Sequence, residues 1–192
     1  GPSHGDLGRL RALCERCLFE WQVDRVFYLG SDDALDRAMH GWAERLGAPR
    51  DDDAFLDEAA ALAPEGPPEV LEALLERDAR RRRLADIAAV STRHIEMIDD
   101  RVVVMTGDLT APDDDDLANA TVVVQGRSAR PELRVVGVKC LLMPGDASRV
   151  GHTGLIERTA TAIRAALYNV EGALTRETLV PLRRGSRMEV RS

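Results

Sequence analysis

Cys14 and Cys17 form a C-x-x-C, the spacing of half a zinc site or of a redox-active dithiol. The same spacing puts both on one apolar stripe with Leu10, Leu18 and Trp21, where a thiol packs as a small hydrophobe. A zinc site needs two further ligands, and Cys140 stands alone downstream. The histidines His4, His40, His94 and His152 show neither H-E-x-x-H nor H-x-H spacing, so they supply no metal pair at the level of sequence. Asp113-Asp114-Asp115-Asp116, after Pro112, offers hard oxygen donors but lacks the spacing and turning glycine of a calcium loop. It reads as a solvated loop that caps the following helix. Gly30 and Gly107 follow strand-like segments without forming a Walker or dinucleotide motif, and there is no G-x-S-x-G elbow.

The chain that must position these groups has 192 residues, which predicts one domain over 1–192. Apolar residues make up 44% and charged residues 31%, as in globular rather than fibrous or wholly disordered chains. The balance of 26 basic against 33 acidic residues, net −7, repels phosphate polymers and argues against nucleic acid as the main partner. Nearly every cation is arginine, since Lys139 is the single lysine. Apolar runs such as 102–105 and 122–124 fall far short of the ~20 residues of a membrane-spanning helix. Three cysteines fit a reducing, cytoplasmic setting rather than a disulfide framework. The start shows no basic-then-apolar signal pattern. Gly1-Pro2 reads as a cleavage scar, so native residues upstream are an expectation.

Apolar residues at three- and four-residue intervals predict a helix over 6–21. A short β-rich segment, 23–29, ends at Gly30-Ser31-Asp32-Asp33, which can cap a second helix running to about Leu46. Prolines, glycines and aspartates bracket a short helix near 54–62, and the whole stretch 47–68 reads as a flexible insertion or flap. A longer helix is predicted from Pro68 to about Ala89, with the arginine run 80–83 on a solvated face. Beyond it the pattern turns to strands at 93–98, 101–105, 121–124, 133–136 and 138–142, with one short helix around Ala118. Residues 160–170 are Ala-rich enough for a helix and β-branched enough for a strand. Glu171-Gly172 suits a turn into a strand at 173–180, and 188–190 can close the sheet. The class is α/β.

Several segments, taken in order, resemble the calcineurin-like metallophosphoesterases, in particular their small single-domain prokaryotic phosphodiesterases. Ser3-His4-Gly5-Asp6-Leu7 resembles the family's D-x-H-G-(N/D)-L opening, and the segment 23–30 resembles the strand leading to its G-D motif. Val122-Val123-Val124-Gln125-Gly126-Arg127-Ser128 resembles the strand and loop that carry G-H-x-H-x-P, and Leu142-Met143-Pro144-Gly145 resembles the N-P-G-S closure. The resemblance covers nearly the whole chain. It implies a two-sheet β-sandwich flanked by helices in four layers, with 160–170 as a strand of the second sheet.

The family holds two metals with Asp, Asn and His to activate water and polarise a phosphoryl group. By the resemblance that ligand set is largely absent here. The opening Asp falls at Pro2, leaving His4; the G-D aspartate falls at Ser31, with Asp32 one position away. Thr106-Gly107-Asp108 stands where the family has H-G, and Gly126-Arg127-Ser128-Ala129 where it has G-H-x-H. Hydroxyls and methyls do not replace imidazole. The expectation is a catalytically inactive scaffold without cofactor that serves as a binding, regulatory or assembly module for a protein partner or a homo-oligomer. Its degenerate pocket comprises His4, Asp32, Thr106, Asp108 and Arg127, and Arg127 suits a small phosphate-containing anion. The alternative is a phosphoesterase with a reduced site holding divalent Mn, Zn or Fe between His4, Asp32, Asp108 and an upstream Asp.

Overall fold

The structure, a computed structural model, describes residues 5–46, 52–64, 66–110, 112–146 and 152–182. Its elements in chain order are α1 (Leu7–Glu15), β1 (Val26–Tyr28), α2 (Ala34–Leu46), α3 (Asp52–Leu62), α4 (Pro68–Arg83), β2 (Ile87–Ala89), β3 (Arg93–Ile98), β4 (Arg101–Thr106), α5 (Asp114–Asn119), β5 (Ala120–Gln125), β6 (Glu132–Val136), β7 (Lys139–Met143), β8 (Thr153–Arg158), β9 (Ala162–Tyr168) and β10 (Leu174–Pro181). They divide into two compact units. One holds Leu29–Ser31 and the chain from Val90 onward; the other holds Gly5–Tyr28 and Asp32–Ala89. The predicted final strand at 188–190 lies outside the described residues, as do 47–51 within the 47–68 stretch.

The helical unit is built on helix periodicity. Asp6 caps α1 by accepting from the Arg9 N–H at 3.0 Å. The predicted helix over 6–21 does not stay α throughout: Arg16–Glu20 is a π-turn, closed by Trp21 N–H donating to Arg16 O at 3.0 Å, and Gln22 at φ 53° ends it. Ala34, Leu35, Ala38 and Trp42 of α2 bury one face against Leu10, Cys14, Leu18, Tyr28, Leu84 and Ile87. Phe19 meets the Trp42 ring edge-on, 6.2 Å between centroids at 84°. Arg77 on α4 pairs with Glu58 on α3 at 3.8 Å.

The helix predicted from Pro68 to Ala89 is corrected at its end. It stops at Arg83, a 3-10 turn spans Leu84–Asp86, and Ile87–Ala89 is β2, parallel to β1 in the register Val26↔Ile87, Phe27↔Ala88 and Tyr28↔Ala89. A partner strand remote in sequence overrides the helix propensity of the alanines. The arginine run is bound rather than free. Arg80 pairs with Glu76 at 2.8 Å and lies over the Phe19 ring, Arg81 and Arg82 both donate to Asp78, and Arg83 pairs with Asp86 and donates to Val23 O.

Asp78 is buried, and the hydrogen bonds from Arg82 and then Arg81 hold its carboxyl below the usual carboxylate range. A carboxyl depressed in the folded state contributes stability above its unfolded pKa of about 3.9 and loses it as pH falls through the folded value. Asp78→Asn is therefore expected to lower the melting temperature at neutral pH and to flatten the fall of that temperature below about pH 4. A melting series from neutral to acid pH checks both.

The β unit has a five-stranded sheet in the order β3-β4-β5-β7-β6 and a three-stranded antiparallel sheet in the order β10-β9-β8. The centre of the larger sheet is parallel, β4 with β5 and β5 with β7, and its strands read as near-continuous apolar runs because both faces are covered. Val103, Val122 and Cys140 align across one face, with Leu142 two residues further along it. Val104, Val123 and Leu141 form the other face, under α5 and Leu117. Residues 162–168, ambiguous in sequence, are the central strand β9, with Ile163, Ala165, Ala166 and Leu167 fully buried. Arg164 ties the smaller sheet together by donating to Glu157 on β8 at 2.8 Å and Glu177 on β10 at 2.7 Å.

Candidate functional site

Three loops of the β unit meet at the strand ends. Gly126 continues the β4–β5 ladder by donating from its N–H to Thr106 O at 2.8 Å, and Arg127 N–H donates to Gly107 O at 2.8 Å. The segment Leu29–Ser31 crosses over both glycines. A Cβ on Gly126 would lie 2.4 Å from Leu29 O and from Leu29 Cβ, and one on Gly107 would lie 3.3 Å from Leu29 O. The absent side chains let the loops close until Ser31 faces Arg127.

The Arg127 guanidinium donates to the Ser31 hydroxyl and stands 3.7 Å from the Asp108 carboxylate. Arg127 and Asp108 are about half exposed, at 48% and 45% of the side chain, so solvent screens their attraction to at most about 1 kcal/mol. Thr106 is fully buried beneath them. Its hydroxyl lies 2.8 Å from Thr92 O and 2.7 Å from Asp108 O, and accepts from the Asp108 N–H at 3.2 Å. That places Thr106 as the support that shapes the 106–108 turn, with its oxygen already committed to the backbone.

Of the five pocket residues named from sequence, Thr106, Asp108 and Arg127 come together. Asp32 belongs to the helical unit, where it accepts from the Tyr28 hydroxyl at 2.5 Å. His4 lies outside the described residues. The contact that sequence reasoning missed is Ser31 with Arg127. Its signal was present, since both residues follow strand ends and fall at metal-ligand positions in the resemblance, but their pairing across 96 residues is not a local property.

Other candidates are absorbed by the structure. Cys14 and Cys17 are buried and free, and burial pushes their thiols up to about 12 and about 11; Cys140 is likewise pushed to about 11. As protonated, buried thiols they pack as small hydrophobes. Asp113 caps α5 in a reciprocal capping box with Asp116, and Arg93 pairs with both acids. Lys139 donates to Leu117 O and, at 2.8 Å, to Ala118 O, satisfying carbonyls at the other end of that helix. His40 pairs with Glu44 on α2 and His94 with Glu96 on β3. Among the described residues, no three His, Cys, Asp or Glu side chains gather as a metal cage.

A predicted phosphoesterase from Streptococcus pneumoniae superposes on this chain with a TM-score of 0.50 at 15% identity, covering 92% of each chain. The chain has a calcineurin-like metallophosphoesterase fold. An archaeal phosphodiesterase matches at 16% identity and a TM-score of 0.46, over 93% of this chain and 95% of its own. Zinc-complexed Vps29 from Entamoeba histolytica matches at 18% identity and 0.40, over 55% and 76%. No protein-family model matches the chain, and no curated protein does. The metallophosphoesterase fold implies a two-metal centre at these strand ends, and the donors present here do not fit one. Among the described residues, the side chains gathered here are two hydroxyls, one carboxylate and a guanidinium, which do not make up the imidazole and carboxylate set that such a centre needs. Among the described residues no helix is long and apolar enough to cross a membrane.

Proposed function

We propose that this chain keeps the phosphoesterase scaffold without its two-metal chemistry and works as a binding or assembly module. The observation that carries the reading is the Arg127 guanidinium, bonded to Ser31 and 3.7 Å from Asp108. A fixed cation opposes a divalent ion 4 Å away by about 2 to 8 kcal/mol for effective dielectrics between 80 and 20. It also engages the hydroxyl and carboxylate that remain as donors. In the helical unit, Asp32 is turned to Tyr28.

Elemental mass spectrometry after incubation with manganese or zinc and dialysis tests this directly. The expected result is substoichiometric metal, unchanged whether or not native upstream residues are present. Retention of one or two ions per chain would overturn the reading and call for a screen of phosphodiester substrates.

A further inference from the structure

We infer that strand β6 is the self-association edge of this chain, taking β6 of a second copy in antiparallel register centred on Leu133. Strand β6 ends the five-stranded sheet, and among the described residues nothing pairs with its outer side. Its hairpin with β7 closes through a two-residue turn at Gly137-Val138, with Gly137 at φ 62°. Such a turn makes Val136 and Lys139 a hydrogen-bonded pair. Alternation along the ladder then makes Arg134↔Leu141 and Glu132↔Met143 bonded pairs as well, and turns the main-chain N–H and C=O of Leu133 and Val135 outward.

The C-terminal half of this edge lacks the devices that keep edges apart. Sheet edges are ordinarily guarded by charge, proline or a covering element. The opposite edge, β3, carries Arg93, His94 and Glu96. On β6 and its turn, Val135, Val136 and Val138 are 54%, 59% and 83% exposed, an apolar stretch with no charge within it.

The charges that β6 does carry select its own copy. Glu132 and Arg134 flank Leu133 symmetrically and share one face of the strand, 3.4 Å apart. A two-fold axis through Leu133 sets each Glu132 opposite Arg134 of the partner subunit, so one strand sequence supplies both halves of two cross-strand ion pairs. In that register Leu133 exchanges two main-chain hydrogen bonds with Leu133 of the partner subunit. The Val135 N–H of each copy donates to the carbonyl of Pro131 in the other. Pro131 has no N–H to give, which ends the ladder there. The alternative register centred on Arg134 places the two guanidiniums directly opposite one another, which disfavours it. The interface does not engage Arg127, Ser31 or Asp108, so its failure leaves the metal-free reading standing.

Analytical ultracentrifugation of the full chain tests the interface. The expected result is a dimer at micromolar concentration. Glu132→Arg and Arg134→Glu, each turning two attractive pairs into repulsive ones, are expected to raise the dissociation constant about tenfold or more, and the double variant to restore it. Val135→Pro removes an N–H that β7 does not use, and is expected to give a folded monomer. A wild-type chain that stays monomeric overturns the inference. So does a dimer indifferent to either charge reversal, or a folded double variant that remains monomeric.

Discussion

Gly126→Ala is expected to destabilise the protein by about 3 kcal/mol or more, at the upper end of what overpacking costs. The added methyl would meet the Leu29 carbonyl oxygen and Cβ at 2.4 Å, and the backbone oxygen cannot swing aside as a side-chain tip would. Relief requires Leu29–Ser31 to lift from the loop after β5, which pulls Ser31 away from Arg127. Gly41→Ala supplies the opposite sign from the same chemical change. Gly41 lies within α2 with nothing within 4 Å of a Cβ, so alanine there is expected to stabilise by about 0.5 to 1 kcal/mol through helix propensity. Denaturant titration of the two variants beside the parent measures both. Equal effects at the two positions would mean that the close approach of Leu29 to Gly126 is absent in solution.

Trp42→Ala is expected to cost about 3 to 5 kcal/mol, the range for removing a large aromatic from a core. The indole is 5% exposed, packs with Leu10, Cys14, Leu18 and Tyr28, and meets the Phe19 ring edge-on. Its loss leaves a void that the helices around it cannot all close, because α2 is also held through Ala34, Leu35 and Ala38. The void would unsettle the π-turn that presents Leu18 to the same core. Thermal melting followed by far-ultraviolet circular dichroism gives the size of the effect. Trp42→Phe, which refills most of the volume, is expected to recover the larger part of it.

These expectations draw on two different kinds of legibility. The stripe through Leu35, Ala38 and Trp42 is a helix signal readable within one turn of chain, and α2 lies where that period places it. The strands near 93–98, 101–105 and 133–136 likewise announce themselves by β-rich runs bounded by turn residues. The capping role of Asp113 is equally local, since a carboxylate three residues before an N–H closes its own bond. The resemblance to the phosphoesterase scaffold was also legible, because short motifs stand along the chain in the family's order.

What the sequence determined by itself is thus the α/β class, the order of most elements and the scaffold they build. Composition left 160–170 open and the resemblance implied a strand there; the tertiary structure supplied the pairing that makes it one and took 87–89 out of the predicted helix. Residues 162–168 become a strand because β8 and β10 flank them on both sides, and Ile87–Ala89 leave the helix because β1 offers them a ladder. It also decided that Arg127 reaches Ser31, a contact that exists only because Gly126 lets Leu29 pass. Propensity is a property of neighbours along the chain, worth tenths of a kcal/mol per residue, whereas strand pairing and close approach are set by residues tens of positions away.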